Sequence, residues 1–74
     1  MPKLPQISGK ALVKVLLRLG YEAASQKGSH IRMSHPDKFS ITIPNHKLIG
    51  KGLLRKIIRD MDISVEEFIK IIKK

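Results

Sequence analysis

Apolar residues in this chain keep a helical spacing, then alternate, then return to helical spacing, and that double change of period restricts the fold to helices packed on a small antiparallel sheet. Ala11, Leu12, Val15, Leu16 and Leu19 recur at helical intervals between Ser8, a natural N-cap, and Gly20, a C-terminal stop, so a first helix is expected from Ser8 to Leu19. Pro2 and Pro5 keep the residues before it extended. From Tyr21 the period is two, with Tyr21, Ala23 and Ser25 on one side of a strand and Glu22, Ala24 and Gln26 on the other. A hairpin turn at Lys27-Gly28 leads into a second strand, Ser29 to Ser34, with Ile31 and Met33 on one side and His30, Arg32 and Ser34 on the other. After the turn His35-Pro36-Asp37-Lys38, a third strand places Phe39, Ile41 and Ile43 inward and Ser40 and Thr42 outward, until Pro44 ends it. Helical spacing returns at Leu53, Leu54, Ile57, Ile58 and Met61, giving a second helix from about Lys51 to Met61. The capping box Ser64-Val65-Glu66-Glu67 opens a third helix, with Val65, Phe68, Ile69 and Ile72 on its inner side.

The order α-β-β-β-α-α predicts an α+β fold: a three-stranded antiparallel meander with helices on its apolar face and its polar face in water. Without an internal repeat or a linker, residues 1–74 are expected to make a single domain. A domain of 74 residues builds one small core, which excludes a large substrate cleft between lobes and leaves chemistry to an open face. The absence of cysteine excludes disulfides and thiolate metal sites. No apolar run approaches the roughly 20 residues that cross a bilayer and no signal peptide opens the chain, so the expectation is a cytoplasmic protein with no membrane partner.

Fifteen Lys and Arg against six Asp and Glu give a net charge of +9, which points to a polyanionic partner. The charge sits in the body: residues 1–59 carry +10 and residues 60–74 carry −1. Lys10, Lys14 and Arg18 form a basic row on the outer side of the first helix, a phosphate-contacting stripe or a plain solvated face. Lys47 follows the third strand, and Lys51, Arg55, Lys56 and Arg59 line the outside of the second helix.

His30 is the most informative single position. Alternation with Ile31 and Met33 puts it on the wet face, beside Arg32 and after Gly28-Ser29. An imidazole, with a reference pKa of ~6.5, exchanges protons near neutrality. In RNA cleavage it can draw the proton from a 2′-OH, which attacks the adjacent phosphodiester, or protonate the departing 5′ oxygen. Arg32 would offset charge on the pentavalent phosphate, Lys27 is one source of a second proton transfer beside hydroxyls and water, and Gly28 would let an RNA backbone approach closely. The bland alternative is a surface histidine on a non-catalytic RNA-binding module. No histidine has a partner at a metal-ligand spacing, so neither a metal nor a cofactor is expected.

The run Gly28-Ser29-His30, the turn His35-Pro36-Asp37, the segment Thr42-Ile43-Pro44-Asn45-His46, then Gly52-Leu53-Leu54, Ile57-Ile58 and Ser64-Val65-Glu66-Glu67-Phe68 together resemble the HicA family of toxin ribonucleases, over nearly the whole chain from Ser8-Gly9 to Phe68. The resemblance implies a fold like the double-stranded RNA-binding domain, translation-independent cleavage of mRNA, and inhibition by a HicB-like antitoxin; with no metal-ligand spacing in the chain, the cleavage is expected to be metal-independent. It places the catalytic histidine after the Gly-Ser pair, at His30, and makes His46 a second recurrent position in loop structure or RNA contact. Lys10, Lys14, Arg18, Lys27, Gly28, Ser29, Arg32, His46 and Lys47 are then the expected RNA-binding residues. An antitoxin would cover the same basic face and exclude RNA.

Overall fold

The computed structural model describes residues 4–73, so the expectation for Pro2 lies outside the described residues. Ser8 caps the first helix as expected: its Oγ accepts from the Ala11 amide at 3.1 Å, opening α1, Gly9–Arg18. The helix closes in a Schellman pair, Gly20 N–H to the Leu17 carbonyl at 3.2 Å and Tyr21 N–H to the Leu16 carbonyl at 3.0 Å. Gly20 makes this possible with φ of +95°, a region that costs other residues strain.

Three strands follow, β1 (Glu22–Lys27), β2 (His30–Ser34) and β3 (Ile41–Pro44), in the antiparallel order β1-β2-β3. Then come α2, Lys51–Asp60, and α3, Val65–Ile72. The fold is α+β, a three-stranded antiparallel sheet flanked by helices in the arrangement of a double-stranded RNA-binding domain. The core lies between helices and sheet: Leu12 and Leu16 of α1, Met33 and Ile43 of the sheet, Leu54 of α2 and Phe68 of α3 are all fully buried. On the other side of the sheet Arg32 and Thr42 are exposed.

Three local expectations are corrected. The residues of the β1–β2 turn are Gly28 and Ser29, with Lys27 paired to His30. Gly28 has φ of +61° and Ser29 has no positive φ, the pattern of a type II′ turn with glycine first. Pairing in β1 slips between Ala23 and Ser25, a bulge at Ala24. Ladder partners share a face, so Ala23 stays inward opposite Met33 while Ser25 and Lys27 turn outward opposite Arg32 and His30. The extra residue inverts the alternation assigned to Ser25 and Gln26.

Phe39 does not point inward. It precedes β3 and is 91% exposed, because the connection from β2 is anchored elsewhere. The Asp37 amide donates to His35 Nδ1 at 3.0 Å, and Lys38 Nζ donates to the Met61 carbonyl at the end of α2 at 2.7 Å, drawing the chain out of the alternating pattern until Ile41.

Candidate nucleic-acid interface

The end of the sheet at the β1–β2 turn is held by backbone bonds from three directions. The Asn45 amide donates to the Ser29 carbonyl at 2.6 Å, the Gly9 amide to the His46 carbonyl at 2.9 Å, and the Ile49 amide to the Ile7 carbonyl at 2.8 Å. The segment after β3 is thereby fastened to the hairpin on one side and to the start of α1 on the other. Gly9 is the residue that allows it: a Cβ there would collide with the Pro44 carbonyl oxygen and sit 3.0 Å from Asn45 Cα. Sequence reading gave Gly9 no such role, although a glycine at the first position of a helix, where propensity disfavours it, was a usable signal.

On this scaffold His30 is exposed and stands opposite Lys27 on one side and Pro44 on the other. Directly opposed residues in antiparallel strands have Cβ atoms about 4.5–5.5 Å apart, so Lys27 and His30 are side by side. Arg32, two residues along β2, shares their face with Ser25 and Thr42. A Cβ at Gly28 would meet nothing within 4 Å, so the turn beside His30 is open to an approaching backbone. His46 and Lys47 are exposed on the fastened segment, and Lys10 is exposed in the first turn of α1, next to Gly9. The structure thus gathers Lys27, Gly28, Ser29, His30, His46, Lys47 and Lys10 toward one end of the sheet, with Arg32 further along it.

It does not gather the rest of the α1 row there. Lys14 and Arg18 line a groove of about 380 Å³ between α1 and α3, with Ile71 and Ile72 and no residue of the sheet. Arg18 Nη1 donates to the Ile71 carbonyl at 3.0 Å, tying α1 to α3.

His35, the remaining histidine, packs its ring against Tyr21 at a centroid distance of 4.8 Å and accepts from the Asp37 amide, so its work is in the β2–β3 connection. Tyr21 is buried, its hydroxyl has no hydrogen-bond partner among the described residues, and burial, then the Asp60 and Asp62 charges, raise its pKa above the ordinary tyrosine value. Among the described residues, no three His, Asp or Glu side chains converge in a group able to hold a metal ion, and no helix is long and apolar enough to cross a membrane.

The family model for the HicA toxin of bacterial toxin-antitoxin systems matches residues 9–63, more than half of the chain. The chain belongs to the HicA toxin family. The HicA match runs through α1, the three strands and α2 and stops before α3, so it contains the end of the sheet just described. Comparison with curated proteins gave no match. Membership in the HicA family makes this the toxin component of a toxin-antitoxin system, with an antitoxin as its partner.

Proposed function

We propose that the chain is a metal-independent endoribonuclease acting on mRNA, with His30 as its proton-transfer group. The observation that carries this reading is the placement of His30: exposed on a rigid sheet, paired with Lys27, behind an open glycine turn. His30 takes the proton from a ribose 2′-OH, and the oxygen attacks the adjacent phosphorus. The P–O5′ bond breaks, leaving a 2′,3′-cyclic phosphate on one product, and the 5′ oxygen leaves with a proton. The pairing of Lys27 with His30 supports assigning that second transfer to Lys27, whose ammonium gives the departing 5′ oxygen its proton. Arg32 opposes the charge that builds on the pentavalent phosphate. Lys10, Lys47, His46 and the Gly28-Ser29 turn hold the RNA around the cleaved bond, and Lys14 and Arg18 meet its more distant phosphates. A HicB-like antitoxin silences the enzyme by covering the sheet face.

Replacing His30 by Ala is expected to lower cleavage of a labelled RNA by about 100- to 10,000-fold, the range for a positioned acid or base. Melting temperature and RNA affinity should be unchanged, and EDTA should not affect the wild type. Cleavage that survives the substitution removes the histidine from the reaction. Intact RNA after long incubation with the wild type leaves a binding module instead.

A further inference from the structure

Phe39 is an unexplained residue at the end of the sheet away from the β1–β2 turn. Its ring is 91% exposed, yet the chain around it is pinned by the Asp37 amide on His35 and by Lys38 on the Met61 carbonyl. An apolar ring held in water on an anchored backbone contributes little to the fold, and a partner that covered it would have little chain to order. Around it lies a groove of about 520 Å³ lined by Asp37, Lys38, Ser40, Arg59, Asp60 and Asp62. Three of the six acidic residues in this basic chain therefore line one groove against two cations, Lys38 and Arg59, which leaves the rim net negative on a chain of net charge +9.

We propose that Phe39 and its acidic rim form a docking point for the antitoxin, which offers an apolar pocket edged by Lys or Arg. Charge decides the occupant. An antitoxin that covers the sheet face competes with RNA for the same cations, so a hold that RNA cannot share favours the protein partner. The carboxylates of Asp37, Asp60 and Asp62 repel phosphates and attract a cationic edge, while the ring supplies the desolvated centre that dominates protein interfaces. The inference rests on family membership and on the proposed covering of the RNA-binding sheet face, and not on the catalytic role of His30.

The test is titration of the chain with its cognate HicB-like antitoxin, read by calorimetry without RNA. Phe39→Ala should fold normally, since the ring is in water, and should weaken antitoxin binding about 30-fold, as loss of an anchoring aromatic does. Asp60→Lys should weaken it about 5-fold at low salt. RNA cleavage by both variants should match the wild type. Unchanged antitoxin affinity in Phe39→Ala overturns the proposal, as does failure of the wild type to bind. Loss of RNA binding with antitoxin affinity intact overturns it too and assigns the ring to base stacking.

Discussion

At the scale of single residues, two positions are held by contacts that periodicity does not express. Gly9 is in contact with the Pro44 carbonyl and Asn45. Gly9→Ala is expected to cost about 1–3 kcal/mol in urea denaturation, the range for overpacking, and to lower cleavage by shifting the segment that carries His46. Tyr21 shows the opposite imbalance, a buried hydroxyl with no partner among the described residues. Tyr21→Phe should therefore be neutral or stabilising by about 1 kcal/mol, because the lost group made no bond to replace. The sign of the pH effect follows from the raised pKa: the unfolded chain loses its tyrosine proton first, so stability is intact below pH ~10 and falls as pH rises through the higher folded value. The gap between the denaturation midpoints of the wild type and of Tyr21→Phe should be constant below that alkaline range and change only within it. His30 and Arg32 were legible on the wet face because Ile31 and Met33 fixed the parity of β2. Lys27 and Ser25 were not, because a bulge at Ala24 leaves no mark in so polar a strand.

Among the elements, helix starts were the most readable features, since each uses short-range chemistry. Ser8 and Ser64 both cap as expected, Ser64 Oγ accepting from the Glu67 amide at 3.1 Å. The box at Ser64 is one-sided, for its hydroxyl also donates to Glu67 Oε1 at 3.4 Å. Each helix further places an isoleucine just before its cap and a large apolar residue in the fourth helical position: Ile7 and Leu12, Ile49 and Leu54, Ile63 and Phe68. All but the half-buried Ile63 are buried, so these pairs set the angle at which each helix enters the core. Ser64→Ala should cost about 1 kcal/mol, seen as a lower melting temperature with RNA cleavage unchanged, because α3 lies away from His30. The start of β3 was misread at Phe39 for a different reason. A side-chain bond from Lys38 to the distant Met61 carbonyl competes with strand pairing, and nothing within the neighbouring residues announces it.

For the molecule as a whole, charge is sorted by place. Cations collect around the β1–β2 turn and the start of α1, and carboxylates collect around the β2–β3 connection. If Lys10, Lys27, Arg32 and Lys47 each neutralise one phosphate of a single strand, the counterion slope is about −2.8, and RNA affinity should fall about 50-fold between 50 and 200 mM salt. Fluorescence anisotropy across that range checks the number of contacts, and a flat response would show that these cations do not bind phosphate. Composition announced the net charge, but only the folded chain separates the two regions, because Asp37 joins Asp60 and Asp62 across more than twenty residues.

The irregular pairing at Ala24 also governs how free copies of the molecule meet. β1 is a rim strand, exposed at all six positions, and such rims are templates on which further chains can stack. Interrupted where it is, it offers a newcomer no more than three consecutive residues, 25–27, in one register. A toxin released from its inhibitor can then stay dispersed and in reach of its target instead of growing into fibrils.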